Sequence, residues 1–235
     1  MQGSKLPDIF VNGTDTGIGK SVVSLLLMQY LVSAGYEPFY LKPMQTGCSH
    51  PGAEESDAEF VYSHVPGYES LDPAKSTVYC HRQPRAPWFA ARNEGEQIDA
   101  EHIGKCISDL RKSYSPLVLE GAGGLYVPVT QDLLMIDLAQ RFCPHVLLVS
   151  RAGLGTINHT LLSVESLRKR NTRIFGLIML DHPQTGTDPD MIRENIEAVQ
   201  RFGEVSVSGV IGKIDDFDRP PQKYLQIVGN LFNGC

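Results

Sequence analysis

Residues 9–21, IFVNGTDTGIGKS, constrain the fold more than any other part of the chain. An apolar run leads into a loop with three glycines, and Lys20 and Ser21 open a stretch without Gly or Pro, residues 20–33. A buried strand, a glycine-rich turn and a helix form a phosphate-binding loop, because backbone N–H groups and the helix N-terminus converge on one anion. We therefore predict nucleotide binding, with Lys20 at the β- and γ-phosphates and Ser21 on Mg²⁺.

The spacing inside this loop is unusual. Gly13 lies six residues before Gly19, one more than the G-x-x-x-x-G-K-[ST] pattern allows, so the strict motif starts at Thr14. The alternative is a glycine-rich turn of the kind that joins many strands to helices. Strand, loop, Gly-Lys-Ser and helix together favour the phosphate loop. The predicted nucleotide contacts are Thr14, Asp15, Thr16, Gly17, Ile18, Gly19, Lys20, Ser21 and Val22.

Strands that alternate with helices predict the fold class. We expect a single α/β phosphate-loop domain, residues 1–235, with a mostly parallel sheet flanked by helices on both faces. Residues 48–98 contain five prolines and little periodicity, and are interpreted as a loop-rich insertion. Further strands are predicted at 38–42, 117–119, 145–152, 173–180 and 207–214, and helices at 98–114, 132–142, 153–170, 188–202 and the C-terminus.

Composition excludes several classes of protein. The net charge is −6 and no long basic run occurs, so neither nucleic acid nor a membrane surface is expected as a partner. Five cysteines, Cys235 among them, are scattered without a C-x-x-C pair, which argues against zinc or a disulfide framework. No leader and no apolar stretch long enough to span a bilayer is recognisable. A reducing cytoplasm is the expected location.

Two charged residues are placed at strand ends. Lys42 closes the strand 38–42, where it would face the ligand crevice; the alternative is a surface lysine that ends a strand. Glu120 follows the buried run 117–119, where phosphate-loop enzymes place the acid that reaches Mg²⁺. Gly121, Ala122 and Gly123 then allow close approach of backbone to a ligand. The alternative is a glycine turn with an incidental glutamate.

Three further features have open interpretations. ESDAEFVYSHV predicts a short helix in which Asp57 is either a cap, favoured on sequence alone, or a metal ligand. Trp88 either lines a pocket or, as we expect, fills the core. The helix start at Gly153, Gly155 and Thr156 is a candidate anion receptor.

The motifs GTDTGIGKS, YLKPMQTG, ESDA, LEGAGGLYVPV and GLGTINH resemble, in order and spacing, those of dethiobiotin synthetases. The resemblance covers nearly the whole chain, and its most specific parts are the irregular phosphate loop, the K-P-x-x-[ST]-G block and EGAGG. It implies a homodimer of phosphate-loop domains that uses CO₂ and MgATP to close a ureido ring on 7,8-diaminononanoate.

The resemblance also implies residue roles. Lys20 and Lys42 would offset negative charge on the γ-phosphoryl group and the substrate carbamate. Asp57 changes from expected cap to expected ligand, and Thr46 would contact the substrate. The implied metal ligands are Ser21, Asp57 and Glu120. The substrate carboxylate would be bound by backbone of the partner subunit, at the residues that correspond to Gly153, Leu154, Gly155 and Thr156.

Four departures from the family pattern limit this transfer. Leu180-Asp181 stands where Asn-Asp usually reads the nucleotide base, and Asp215 replaces a proline. Leu180 cannot form an amide's paired hydrogen bonds to adenine, so we hypothesise a relaxed preference among nucleoside triphosphates. Trp88 replaces a common His, and Gly153 a frequent Lys or Arg.

Three alternatives come from other classes of protein. A switch ATPase of the Min and Par partition type carries an additional lysine before the Gly-Lys pair, where this chain has Asp15 and Thr16. A cobyrinate amidase-like synthetase needs a further glutaminase domain, for which 235 residues leave no room. A nucleotide-binding paralogue without catalytic activity stays open as the third.

Overall fold

The computed structural model describes residues 6–181 and 186–233. The strands in these ranges are β1 Ile9–Gly13, β2 Phe39–Thr46, β3 Thr77–His81, β4 Leu117–Gly124, β5 His145–Arg151, β6 Arg173–Leu180 and β7 Val207–Ile211. All neighbouring strands pair in parallel, in the order β3-β2-β4-β1-β5-β6-β7. Cys235 and residues 1–5, which enter the predictions about thiols and a leader, lie outside the described residues.

Helices cover both faces of the sheet. In chain order they are α1 Lys20–Ser33, α2 Asp57–Ser63, α3 Pro87–Asn93, α4 Ala100–Leu110, α5 Met135–Phe142, α6 Thr156–Lys169, α7 Pro189–Gly203 and α8 Gln222–Asn230. One face packs against α1, α2 and α8, and the other against the remaining helices. The predicted α/β fold with a parallel sheet between two helical layers is confirmed.

Strand β1 lies at the centre because both of its faces are apolar. Ile9 and Val11 pack in the core beneath α1, whereas Phe10 packs on the opposite face with the side chains of α4 and α5. This alternation follows from the two-residue period of a strand, and a strand buried on both faces is typical of a parallel sheet. Burial of β1 places the loop 14–19 at the carboxyl edge of the sheet.

The prediction for the second strand was wrong at its end. Strand β2 continues to Thr46, so Lys42 lies inside it rather than at its carboxyl end. Residues 39–41 pair with β4, while residues 42–46 pair with β3. Strands β2 and β4 therefore separate just before Lys42 and Glu120, and this separation opens a crevice between them. The prediction had placed this crevice at the end of a strand.

Residues 48–98 contain more regular structure than the sequence indicated. Strand β3, which was not predicted, forms the sheet edge, and α2, α3 and a short 3-10 helix Pro73–Ser76 lie around it. The expectation that Trp88 fills the core was wrong: it is half-buried and packs against Phe89 and Arg92. Local pattern missed β3 because its five residues gain their stability from pairing with β2.

Two helices begin directly after an aspartate that caps them. Asp99 accepts a hydrogen bond from the Glu101 N–H at the start of α4, and Asp188 accepts one from the Asp190 N–H at the start of α7. None of the helices in the described ranges combines the length and apolar character that a membrane crossing requires.

Candidate active site

The phosphate loop turns into α1 through a left-handed glycine. Gly19 has φ +88° and is the N-cap of α1, and a side chain there would overlap the Leu180 side chain. The backbone conformation and the lack of space both require glycine at this position. Lys20 follows, nearly buried, and its Nζ atom donates to the Asp15 carbonyl at 3.2 Å across the loop.

Two carboxylates, a hydroxyl and an ammonium group meet beside this loop. The Lys42 Nζ atom lies 2.7 Å from Asp57 Oδ2 and 2.7 Å from Glu120 Oε1. The Ser21 hydroxyl donates to Asp57 Oδ1 at 2.7 Å and to Glu120 Oε1 at 2.9 Å as alternative acceptors. The four residues come from α1, β2, α2 and β4, so the tertiary fold assembles the cluster.

The cluster keeps its charges despite burial. Burial alone would lower the pKa of Lys42, but the Glu120 and Asp57 carboxylates outweigh burial and raise this pKa to about 12. Burial would raise the pKa of Asp57, but Lys42 outweighs it and lowers the pKa below its ordinary value. Burial, with a contribution from Lys42, lowers the pKa of Lys20. Lys20 lacks a direct carboxylate partner among the described residues, which leaves its ammonium group available to an anionic ligand.

Asp57 does not cap its helix. Ser56 is the N-cap of α2, and its hydroxyl accepts from the Ala58 and Glu59 N–H groups. The Asp57 carboxylate, one residue later, points instead at Ser21 and Lys42. The interpretation of Asp57 as a cap, favoured on sequence alone, was therefore wrong.

The donor set fits a magnesium ion. Mg²⁺ prefers oxygen ligands and is commonly held by one or two carboxylates together with phosphate oxygens of a substrate. Ser21, Asp57 and Glu120 supply a hydroxyl and two carboxylates, and a cation, the Lys42 ammonium group, already lies between the carboxylates. No group of three or more His, Cys, Asp or Glu residues suited to a metal occurs in the described part of the chain, so a zinc-type site is not indicated there.

A pocket of about 220 Å³ opens over this cluster. Thr46, Ala122 and Gly123, all singled out from sequence, line it together with Thr16 and Lys20. Gly121 lies beneath, where a Cβ atom would overlap Asn12 Oδ1, so the glycine is required for the close packing of β4 on β1. Lys20 of the phosphate loop, the three predicted metal ligands and Thr46 thus share one small polar pocket, which the predicted substrate residues 153–156 do not line.

A second pocket, of about 730 Å³, adjoins the first at Gly17 and Gly19. Ile18, Val22, Leu180 and Asp181, which were predicted to bind the nucleotide, line it. Gly153 and Leu154 line this larger pocket as well. Within one chain they do not line the smaller pocket.

The remaining candidates contribute through backbone or lie outside the pockets. The Thr14 N–H donates to the Val149 carbonyl, which ties the loop to β5. Gly155 is the left-handed N-cap of α6, and Thr156 is fully buried with its hydroxyl against Thr160. The Thr156 side chain therefore has no access to a ligand, and only its backbone remains available.

Sequence reasoning missed four side chains of the site. Arg151 pairs with Asp15 at 2.7 Å, and Gln45 accepts from the Asp57 N–H at 3.3 Å. Tyr40 and Ser24 donate to Glu120. Two signals were present: Tyr40 precedes Lys42 by two residues in a strand, and Ser24 follows Ser21 by three in a helix, which places each pair on one face.

Known structures agree with the fold. The chain superposes on the MinC:MinD cell division protein complex of Aquifex aeolicus with a TM-score of 0.61, 11% identity and coverage of 98% of this chain and 97% of that chain. A ParA family ATPase from Chlorobium tepidum gives a TM-score of 0.52 at 12% identity, with coverage of 98% and 92%. With the phosphate loop and the acidic cluster, this fold defines a P-loop nucleotide-binding protein of the α/β class.

Sequence comparison specifies the family. A family model described as an AAA domain matches residues 8–221. The ATP-dependent dethiobiotin synthetase BioD of Methanococcus vannielii is 35% identical over 212 residues, 89% of this chain and 95% of that protein. The biotin biosynthesis bifunctional protein BioCD of Bordetella avium is 39% identical over 219 residues, 92% of this chain but 42% of that protein. The chain belongs to the ATP-dependent dethiobiotin synthetase family.

Proposed function

We propose that this protein is an ATP-dependent dethiobiotin synthetase, which joins 7,8-diaminononanoate and CO₂ in a ureido ring. The observation that carries the proposal is the bridging position of Lys42, 2.7 Å from both Asp57 and Glu120, at the mouth of a phosphate loop. Membership of the family and the shared small pocket support it.

The reaction has three steps. One substrate amine takes up CO₂ as a carbamate, and a carbamate oxygen then attacks the γ-phosphorus of ATP, which releases ADP and leaves a carbamic-phosphoric anhydride. The second amine attacks the anhydride carbonyl, forms the second C–N bond of the ring and expels phosphate. Little covalent chemistry is left for the protein, so its task is positioning and charge stabilisation.

The lysines supply the positive charge for these steps. Lys20 binds the β- and γ-phosphates, with the glycines of the loop admitting the triphosphate. Lys42, which stays protonated because its pKa is raised to about 12, stabilises the charge shared by carbamate and γ-phosphoryl oxygens. Thr46, which lines the same pocket, orients the substrate.

Ser21, Asp57 and Glu120 hold Mg²⁺ in this proposal. Mg²⁺ supplies neutralisation of the β- and γ-phosphate charge when it is bound. Both carboxylates contact the Lys42 ammonium group as well as the Ser21 hydroxyl, which supports their assignment to one ion. The nucleoside extends into the larger pocket, past Ile18 and Val22 to Leu180 and Asp181.

A homodimer completes the site in this proposal. Within one chain, Gly153 and Leu154 do not line the small pocket, so a second copy is needed to bring the start of α6 over the substrate. Leu154, two residues before α6, is 83% exposed and Leu162, on α6, is 54% exposed, which supports an interface there. The chain acts as one domain in a reducing cytoplasm. Sedimentation velocity tests the dimer, and a monomer at the concentration of the assay overturns it.

One assay tests the activity. Purified protein is incubated with 7,8-diaminononanoate, bicarbonate and MgATP, ADP release is followed, and dethiobiotin is detected by mass spectrometry. We expect ADP release that requires the diamine and matches the dethiobiotin formed. ATP turnover that is indifferent to the diamine, with no dethiobiotin, contradicts the proposal and favours a switch ATPase.

A further inference from the structure

The two oxygens of the Glu120 carboxylate have different surroundings. Oε1 accepts from Lys42 and Ser21, the groups that line the small pocket. Oε2 accepts from the Ser24 hydroxyl at 2.8 Å and from the Tyr40 hydroxyl at 2.9 Å. Glu120, Ser24 and Tyr40 are each 0% exposed, so Oε2 is bound on the protein side of the carboxylate, away from the pocket.

The two Oε2 donors belong to different elements. Ser24 lies on α1 one turn after Ser21, and Tyr40 lies on β2 two residues before Lys42. Each element therefore contributes one residue to Oε1 and one to Oε2. A turn of the carboxylate plane away from this orientation would break hydrogen bonds to both elements at once, and a buried carboxylate that loses such bonds is strongly destabilised.

The Tyr40 hydroxyl is the donor in its contact with Glu120. An ionised carboxylate only accepts hydrogen bonds, whereas a phenol can donate one.

We propose that Ser24 and Tyr40 are positioning residues that bind Oε2 of Glu120, so that Glu120 presents Oε1 alone to the metal and phosphate pocket. This inference rests on the proposed metal site. Glu120 then contributes one oxygen to the ion, directly or through a bound water, and the second oxygen serves to orient it. Outer partners of metal-ligating carboxylates commonly act in this way.

The test measures metal affinity rather than turnover. Free Mn²⁺ is counted by electron paramagnetic resonance in titrations of the wild type and of Tyr40→Phe, Ser24→Ala and the double variant, each with a non-hydrolysable ATP analogue. We expect each single variant to bind Mn²⁺ more weakly, and the double variant to lose about 10- to 100-fold in affinity. Affinity for the analogue with the metal chelated stays at the wild-type value, because the phosphate loop is untouched.

Matched controls separate positioning from general damage to the core. Tyr62→Phe removes a hydroxyl from the same buried region, where it contacts the Tyr40 carbonyl and Ser76 but not Glu120. Ser33→Ala removes an exposed hydroxyl from the end of α1. Both controls retain the wild-type Mn²⁺ affinity. Ser24→Thr, which keeps a hydroxyl, recovers most of the affinity that Ser24→Ala loses.

Two results overturn the inference. One is wild-type Mn²⁺ affinity in the double variant; the other is an equal loss of affinity for metal-free nucleotide, which indicates general disruption of the loop. Since the isosteric Tyr40→Phe is measured by itself, poor folding of the double variant does not remove the test. Failure of the wild type to form dethiobiotin bears on the proposed function alone, because Mn²⁺ binding is measured without turnover.

Discussion

The Lys42 Nζ atom lies 2.7 Å from Asp57 Oδ2, within a cluster that the strand and helix around it do not form by themselves. Lys42 is in the middle of β2, and Asp57 is the first residue of α2. Asp57 is held there by two further contacts, the Ser21 hydroxyl and the Gln45 side chain. A cation is therefore fixed between two carboxylates before any ligand enters.

Replacement of Lys42 separates binding from chemistry. Lys42→Gln removes the charge that we propose stabilises the transferring phosphoryl group and the carbamate, so we expect kcat to fall by about 100- to 1,000-fold. Nucleotide affinity, measured by calorimetry, changes little because Lys20 and the loop remain. The control Lys75→Gln changes an exposed lysine in the same part of the chain. Unchanged turnover in Lys42→Gln excludes Lys42 from the chemistry.

The Asp57 carboxylate gives stability a defined pH dependence. Its pKa is lower in the folded protein than its ordinary value of 3.8, so the ionised form stabilises the fold. That contribution is complete above the ordinary pKa and is lost as pH falls through the lowered one. We expect Asp57→Asn to lower the free energy of unfolding by about 2 kcal/mol at neutral pH. The difference in the free energy of unfolding between wild type and Asp57→Asn shrinks below about pH 4.

Urea unfolding at several pH values measures this difference. The control is Glu54→Gln, which changes an exposed carboxylate nearby and leaves the profile parallel to that of the wild type. A difference between wild type and Asp57→Asn that grows as the pH falls has the opposite sign and contradicts the ion-pair account.

Gly19→Ala tests the loop with a control of matched backbone geometry. Gly19 and Gly35 both have left-handed φ values, +88° and +82°, but nothing lies within 4 Å of a Cβ atom at Gly35. Gly35→Ala is expected to cost about 1 to 2 kcal/mol of stability through strain alone. Gly19→Ala adds the overlap with Leu180, and the resulting shift of the loop weakens nucleotide binding by about tenfold or more.

The double variant Gly19→Ala/Leu180→Ala identifies the cause of the weaker nucleotide binding expected for Gly19→Ala. If the overlap is responsible, Leu180→Ala restores part of the lost affinity in the Gly19→Ala background. No recovery in the double variant means that backbone strain alone explains the loss.

Leu180 governs the expected base preference. Its side chain lines the larger pocket without an amide, so we expect kcat/KM for ATP, CTP and GTP to agree within about tenfold, since apolar pockets discriminate weakly. Leu180→Asn introduces a donor and an acceptor, and is expected to raise the preference for ATP. Leu180→Ala, the control, removes the side chain without adding an amide and leaves the three values similar. A strong ATP preference in the wild type contradicts the hypothesis.

Much of the fold was predictable because it is local. Strand β6, residues 173–180, and helix α1, residues 20–33, were predicted with the observed bounds, since each is a continuous apolar segment. The exceptions are β3 and the second half of β2, which exist because they pair with each other, and the second half of β4. The prediction ended β4 at Leu119, but the strand continues through Glu120 to Gly124 because it pairs with β1. A five-residue edge strand carries too little pattern to be recognised alone.

The residues of the site show the same contrast between local and tertiary determinants. Lys20 and Ser21 could be assigned from the sequence, because the loop and helix that position them are contiguous with them. The residues alone left Asp57 open to two interpretations. The family resemblance favoured the ligand, and the tertiary structure excluded the cap, because Ser56 caps α2 and the Asp57 carboxylate contacts Ser21 and Lys42.

By itself the sequence determined the class of ligand, most of the strands along the chain and the position of the phosphate loop, since all of these depend on neighbours in the chain. Only the tertiary structure decided that β2 and β4 separate in front of Lys42 and Glu120. It alone also gave Glu120 one oxygen toward the pocket and one bound by Ser24 and Tyr40. Side chains far apart in sequence meet through packing, and a local pattern carries no information about that distance.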